Sequence, residues 1–170
     1  AVEPDSILVT GNTVIDAFLE VAQADREFEN ETLRNTDLSG TVILVTSHRR
    51  ESWGEPMRRT ARALVRLAQA EPDVTFVLPL HANPKVRDIF VPALEPLANV
   101  VLVDSLAYPD FSKLTAWSTL GVTDSGGVQE EAPSLGKPVI VLREDTERPE
   151  AVTAGTAKLV GTDEELIVSE

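Results

Sequence analysis

LGVTDSGGVQEEAPSLG, the run at residues 120–136, contains a complete strand–turn–helix unit and indicates the fold class. It begins with a short β-branched segment, passes through a turn formed by Ser125, Gly126 and Gly127, and ends in a helical segment. Two glycines at the start of a helix let the backbone approach a ligand closely, and the free N–H groups there favour an anion. Many helices begin with serine or glycine for capping alone. The turn therefore predicts either a phosphate site or an ordinary cap to which Ser125 contributes.

The same alternation of strand and helix extends over the rest of the chain. Strands are predicted at Ile7–Thr10, Thr41–Ser47, Thr75–Pro79, Val100–Val103, Gly121–Thr123, Pro138–Leu142 and Thr156–Val160. Helices are predicted at Thr13–Ala24, Pro56–Ala70, Pro84–Phe90, Tyr108–Trp117, Val128–Leu135 and Glu147–Ala154, with another beginning near Thr162, which forms a capping box with Glu165. The acidic stretch Asp25–Asp37 is predicted to be a surface loop or a short polar helix. Several strands are apolar throughout, so the pattern predicts an α/β fold with a parallel sheet covered by helices on both faces.

Composition excludes several classes of protein. The 170 residues include no cysteine and two histidines, and their formal net charge is −13. Without cysteine there is no disulfide scaffold, thiolate metal site or thiol catalysis, and no apolar run approaches the ~20 residues that span a membrane. The negative charge argues against nucleic acid and anionic membranes as partners. The two histidines and the scattered carboxylates show no metal-ligand spacing.

Positive charge is concentrated in one segment, where residues 48–66 carry six arginines against Glu51 and Glu55. This local patch could attract a small anionic ligand. The alternative is an ordinary solvated helix face, which the spacing of four of the arginines favours. Those four are Arg58, Arg59, Arg62 and Arg66.

Candidate chemistry follows the predicted strands, at the sheet edge where parallel α/β proteins bind ligands. His48 comes directly after a buried strand and is a candidate general acid or a donor to a leaving phosphate. The adjacent Arg49 and Arg50 are expected to lower the pKa of His48 and to attract an anionic substrate. His81 follows the next strand along the chain and is a second candidate.

Two further groups leave alternatives open. One of Glu130 and Glu131, inside the helix that follows the glycine turn, could bind ribose hydroxyls, or both could be solvated residues that complement the helix dipole. Arg148 could complete a pyrophosphate clamp, or it could pair with Glu147 and Glu150.

Residues 120–163 resemble the non-hydrolysing UDP-N-acetylglucosamine 2-epimerase family, together with VTGNTVIDAF at 9–18, VTSHRRESWGEPM at 45–57 and PLHANPKVR at 79–87. The resemblance implies a glycosyltransferase-B fold made of two Rossmann-like domains. Residues 1–170 would be the carboxy-terminal, UDP-binding domain. Both ends of the chain are expected to be cut from a longer protein, and an amino-terminal domain that carries the acid/base carboxylates would lie outside it.

The resemblance also implies a reaction. UDP-N-acetylglucosamine and UDP-N-acetylmannosamine would interconvert by elimination and re-addition of UDP, for bacterial envelope polysaccharides. No metal or redox cofactor would be needed, and the complete enzyme would be a cytoplasmic homodimer. The isolated chain is expected to bind UDP weakly and not to epimerise.

Site residues are implied by the same motifs. The resemblance makes His48 the active-site histidine and assigns UDP contacts to Phe111, Ser125, Gly126, Gly127, Glu131 and Arg148. A second UDP-N-acetylglucosamine, acting as an activator, would be bound by Arg49 and His81. Around residues 104–110 the sequence departs from the family pattern, although Tyr108 and Phe111 keep their spacing.

Alternative functions also fit parts of this pattern. The chain could be the donor-nucleotide domain of a glycosyltransferase-B enzyme, or a non-catalytic module that binds nucleotide sugars. A hydrolysing epimerase would share the fold and some motifs but would release free N-acetylmannosamine and UDP.

Overall fold

The computed structural model describes residues 2–8 and 10–170, which form one six-stranded sheet in the order β3-β2-β1-β4-β5-β6. All neighbouring strands are parallel. The strands are β1 Thr41–Thr46, β2 Val74–Leu80, β3 Val100–Asp104, β4 Leu120–Thr123, β5 Val139–Val141 and β6 Ala157–Leu159. The helices are α1 Val14–Gln23, α2 Glu31–Asn35, α3 Glu55–Ala70, α4 Pro84–Leu94, α5 Tyr108–Trp117, α6 Val128–Ser134, α7 Pro149–Thr153 and α8 Glu164–Ser169. The strand order reverses between β1 and β4, which is where doubly wound sheets bind ligands.

Alternating strand residues build a core on each face of the sheet. In β1, Val45 packs into the cluster that contains Met57 of α3 and Phe90 of α4. Leu44, one residue earlier, packs on the opposite face with Leu114 of α5. Because successive strand side chains point to opposite faces, a strand covered on both sides must be apolar throughout. The predicted parallel sheet with two helical layers is confirmed.

The arginine-rich helix α3 packs against the last helix of the chain. Arg62 contacts Glu164 at 2.8 Å, and Arg66 contacts Glu164 at 3.1 Å and Glu165 at 2.6 Å. Arg59 donates to the carbonyl and the hydroxyl of Thr162 at 3.0 and 2.9 Å. These three arginines therefore serve the α3–α8 contact, which accounts for much of the positive patch.

The beginning of the chain differs from the prediction. The predicted strand Ile7–Thr10 includes Val9, which lies outside the described residues, and Ile7, Leu8 and Thr10 are not in a strand. Ile7 and Leu8 are exposed, so in the described part of this run no neighbouring strand covers these two side chains. A strand forms only where another strand satisfies its backbone groups, and local propensity cannot supply one.

Two other local predictions are corrected or resolved by side-chain contacts. Helix α8 begins after Asp163, whose carboxylate accepts from the N–H of Leu166 at 2.9 Å, and Thr162 is not its cap. The acidic stretch Asp25–Asp37 contains the short helix α2. Buried Asp110 of α5 holds this segment by accepting from the backbone N–H groups of Glu29 and Asn30, at 3.0 and 2.7 Å.

No helix in the described ranges is long and apolar enough to span a membrane.

Candidate functional site

A cleft of about 310 Å³ opens at the carboxyl ends of β1, β2 and β4. It lies at the point where the strand order reverses, as expected for a ligand site in a doubly wound sheet. Six of the predicted site residues line it, namely His48, His81, Phe111, Ser125, Gly127 and Glu131. The structure therefore brings six of the nine predicted site residues together at one sheet edge, and their roles stay predictions.

The glycine turn presents free backbone donors. Ser125 donates its N–H to the hydroxyl of Thr123 at 2.9 Å, and that hydroxyl lies 2.5 Å from the hydroxyl of Thr46. The N–H groups of Gly126 and Gly127 donate to no acceptor among the described residues. Helix α6 begins after Gly127 without a side-chain cap, so Ser125 is not the cap. The turn thus has free N–H donors and no side chain that caps the helix.

A guanidinium group lies beside the same turn. A Cβ atom placed on Gly126 would be 4.0 Å from Nη2 of Arg49, so the glycine leaves open space in front of that group. Arg49 also contacts Glu51 at 2.8 Å through its other terminal nitrogen. Free backbone N–H groups with a guanidinium beside them supply the kinds of donor that an anion site needs.

His48, which follows β1, lies beside the buried carboxylate of Asp124, which follows the neighbouring strand β4. Asp124 has no exposed surface, and its Oδ1 lies 3.2 Å from Nδ1 of His48. Its Oδ2 accepts from the backbone N–H groups of His48 and Arg49 at 2.8 and 3.0 Å, and from the hydroxyl of Ser47 at 3.1 Å. Oδ2 of Asp124 therefore fixes the loop after β1, whereas Oδ1 lies within ion-pair distance of the imidazole and makes no hydrogen bond among the described residues.

This contact outweighs the lowering effect that was expected from the adjacent arginines, so the net shift in the pKa of His48 is upward. The Asp124 carboxylate that faces Nδ1 raises the pKa of His48 above its ordinary value, against the opposing effects of burial and of Arg49. Burial by itself would raise the pKa of Asp124, but His48 and the backbone N–H groups of His48 and Arg49 hold it below its usual range. The pair thus favours an imidazolium beside a carboxylate.

We expect the titration of His48 to show this coupling. In an NMR titration, the pKa of His48 should lie above about 6.5 in the wild type and should fall in Asp124→Asn, which removes the charge and keeps the shape. A pKa that is raised on folding adds stability that is fully present below the unfolded-state pKa. That stability is lost as the pH rises through the folded-state value. An unchanged titration in Asp124→Asn would contradict the pairing.

His81 lies against His48 in the cleft. The ring centroids are 5.9 Å apart, with planes inclined by 12°. Nδ1 of His81 accepts from the backbone N–H of Asn83 at 3.1 Å, which leaves Nε2 as the nitrogen available to a ligand. The two histidines of the sequence, 33 positions apart, thus meet in one site.

The two candidate glutamates have different surroundings. Glu131 lines the cleft, and its carboxylate has no hydrogen-bond partner among the described residues. Burial raises the pKa of Glu131. Glu130 instead contacts Arg148 and accepts from Asn12 at 2.6 Å. Glu131 is therefore the carboxylate that is available to a ligand.

Three predicted site residues do not line the cleft, namely Arg49, Gly126 and Arg148. Arg148 is engaged in other contacts. Its guanidinium contacts Glu130 of α6 and donates to the carbonyl of Glu147 at 3.1 Å. Its position is next to the beginning of α6, which also carries the glycine turn. The predicted role of Arg148 in a diphosphate clamp stays a prediction.

Sequence reasoning missed two buried polar side chains that organise the site. Asp124 directly precedes the glycine turn, but nothing in the local sequence shows that it contacts His48. Gln129 has no exposed surface, and its amide bonds to residues on both sides of it in the chain. A fully buried Asp or Gln needs specific hydrogen-bond partners. Polar residues in an otherwise apolar strand–turn–helix unit were therefore the sequence feature that could have indicated these two side chains.

The described residues include no group of three or more His, Cys, Asp or Glu side chains that could hold a metal ion.

Comparison with known proteins gives a consistent result. The family model described as UDP-N-acetylglucosamine 2-epimerase matches residues 1–170. The UDP-N-acetylglucosamine 2-epimerase of Escherichia coli K12 is 48% identical over 172 residues, which cover 96% of this chain and 45% of that protein. The chain thus spans about half the length of the curated relatives that it matches.

Solved structures agree in both fold and sequence. The UDP-GlcNAc 2-epimerase of Neisseria meningitidis, solved bound to UDP-GlcNAc, is 41% identical with a TM-score of 0.86, and the match covers 99% of this chain and 47% of that one. The S. aureus protein MnaA, solved with UDP, is 40% identical with a TM-score of 0.88, and the match covers 98% and 44%. The predicted fold class, a Rossmann-like half of a glycosyltransferase-B fold, is confirmed. The alternative functions are not favoured.

Proposed function

Because this chain belongs to the UDP-N-acetylglucosamine 2-epimerase family, we propose that it is the UDP-binding domain of an enzyme that interconverts UDP-N-acetylglucosamine and UDP-N-acetylmannosamine. The observation that carries the proposal is a cleft lined by Gly127 and the unpartnered carboxylate of Glu131, with the guanidinium of Arg49 beside the adjoining Gly126.

Each part of UDP has a matching group in this cleft or beside it. The N–H groups of Gly126 and Gly127, with Arg49 opposite, suit the diphosphate. Glu131, whose carboxylate is free to accept, suits the ribose hydroxyls. Phe111 adds an aromatic face for the uracil.

His48 is placed to assist departure of the nucleotide. In the elimination, a base removes the proton from C2 of the sugar, and its electron pair forms a C1=C2 double bond. The C1–O bond breaks, and its electron pair leaves on the β-phosphate of UDP. An imidazolium held by Asp124 stabilises this developing charge, and it returns to its starting state when UDP adds back.

The carboxylates for proton transfer at C2 have a different source in this proposal. In the described part of the chain, Glu131 is the one carboxylate that lines the cleft, and Asp124 is occupied with His48. We place the acid/base carboxylates in an amino-terminal domain of the longer protein, across the cleft. The match to about half of each relative's length supports this division.

The remaining features of the proposal concern the complete enzyme. Arg49 and the stacked His81 would contact a second UDP-N-acetylglucosamine that acts as an activator. The complete enzyme would be a cytoplasmic homodimer that supplies envelope polysaccharide synthesis.

Isotope exchange tests whether the carboxylates for proton transfer at C2 lie outside this chain. Incubated with UDP-N-acetylglucosamine in deuterium oxide, the 170-residue chain should bind the nucleotide sugar and leave its C2 unlabelled, because in this proposal Glu131 contacts the ribose and the acid/base carboxylates belong to the amino-terminal domain. Proton NMR and mass spectrometry of the recovered sugar measure the label.

The control for this experiment is the full-length E. coli relative, which should introduce deuterium at C2 under the same conditions. Clear deuterium uptake catalysed by the 170-residue chain would contradict the placement of the carboxylates outside it.

A further inference from the structure

Gln129 has a buried amide that connects two loops of the proposed diphosphate site. It lies in the first turn of α6 and has no exposed surface. Its Nε2 donates to the carbonyl of Ser125 at 3.0 Å, and its Oε1 accepts from the hydroxyl of Thr146 at 2.5 Å. That hydroxyl in turn accepts from the backbone N–H of Arg148 at 3.0 Å. These three hydrogen bonds, called the Gln129–Thr146 relay below, connect the glycine turn to the backbone of Arg148.

The two loops that it joins have few other links. They follow the adjacent strands β4 and β5, and the sheet pairing between those strands ends where Leu142 donates to the carbonyl of Thr123 at 2.8 Å. Beyond that bond, two side-chain links join them in the described structure, the Gln129–Thr146 relay and the contact of Arg148 with Glu130. An anionic ligand that engaged Arg148 would weaken its contact with Glu130, which leaves the relay to hold the loop.

The relay depends on the chemistry of an amide. Gln129 donates at one end and accepts at the other, whereas a carboxylate accepts only and an aliphatic side chain does neither. Both partners lie in a part-buried environment, where losing one leaves the other unpaired. The arrangement is therefore specific to glutamine at position 129 and a hydroxyl at position 146.

We propose that Gln129, acting through Thr146, is a positioning residue that sets the separation between the Gly126–Gly127 turn and Arg148, so that both contact one diphosphate. The inference rests on the proposed function, since it needs UDP to bind at this turn. It concerns the diphosphate alone, because neither Gln129 nor Thr146 lines the part of the cleft assigned to ribose and uracil.

The test compares Thr146→Val with Thr146→Ser in the 170-residue chain, with UDP and uridine as ligands. Valine has the shape of threonine without the hydroxyl, and serine keeps the hydroxyl. We expect Thr146→Val to raise the Kd for UDP about fivefold or more while the Kd for uridine changes less than twofold, and Thr146→Ser to retain wild-type affinity for both. Calorimetry for UDP and NMR titration for uridine give the two constants.

A second variant keeps the proposal testable by pH. In Gln129→Glu the ionised carboxylate cannot donate to the Ser125 carbonyl, and protonation restores that donor. The Kd for UDP, relative to the wild type at the same pH, should therefore improve as the pH is lowered. Wild-type thermal unfolding at each pH controls for stability.

The outcomes separate this inference from the proposed function. If the wild type binds UDP and Thr146→Val binds it as tightly as Thr146→Ser does, the positioning role is wrong and the proposed function stands. If Thr146→Val weakens uridine and UDP equally, the relay is structural and the positioning role is again wrong. If the wild type binds neither ligand, the proposed function fails and the inference fails with it.

Discussion

Replacing Asp124 with alanine should lower the free energy of unfolding by about 3 kcal/mol, the largest stability effect that we expect at the site. The substitution leaves the backbone N–H groups of His48 and Arg49 and the hydroxyl of Ser47 without their acceptor. Each unpaired buried donor costs about 1–3 kcal/mol, and water from the adjacent cleft offsets part of that cost. Urea unfolding followed by circular dichroism measures the change.

Asp104→Ala is the matched control. Asp104 also ends a parallel strand, but its side chain is exposed, and it contacts Arg87 at 2.8 Å on the surface. Loss of an exposed ion pair typically costs about 0–1 kcal/mol. If Asp124→Ala were no more destabilising than Asp104→Ala, the buried carboxylate would not organise the loop after β1.

Replacing Gly126 with alanine should weaken UDP binding at least tenfold, or by about 1.4 kcal/mol, with little change in stability. A Cβ atom at Gly126 meets nothing closer than Nη2 of Arg49 at 4.0 Å, and the backbone there does not have a positive φ, so the fold accepts the methyl group. The methyl group would occupy the space between the turn and the guanidinium, where the diphosphate belongs in the proposed function. Calorimetric titration with UDP measures the loss.

Gly40→Ala controls for the general effect of replacing a glycine. Gly40 precedes β1 at the opposite end from the cleft, its φ is not positive, and an added Cβ would meet only the carbonyl of Asp73 at 3.9 Å. Both substitutions restrict the unfolded chain in the same way. UDP should bind to Gly40→Ala as it does to the wild type.

The fold could be predicted largely because the strands are buried on both faces. Val42 to Val45 are apolar in succession since alternate residues enter two different cores, and such a run is visible in the sequence alone. The strand predicted at Ile7–Thr10 was wrong because strand-like composition alone does not supply a neighbouring strand. Ile7 and Leu8 have the composition of a strand, but the described structure gives them no neighbouring strand.

The site could be predicted in position but not in its internal contacts. Parallel strands end at one edge, so His48, His81 and the glycine turn were correctly brought together. Arg49 lowers the pKa of His48 as predicted, but the net shift is upward because Asp124, 76 residues away, has the larger effect. Contacts that are distant in sequence decide such values, and only the folded chain reveals them.

Titration of UDP into the wild-type and Gly126→Ala chains tests the central claim most directly, which is that the glycine turn at the end of β4 binds the diphosphate of UDP. We expect a measurable Kd for the wild type, a Kd at least tenfold higher for Gly126→Ala, and unchanged thermal unfolding of the variant in the absence of ligand. Equal UDP affinity in the two folded chains would contradict this claim.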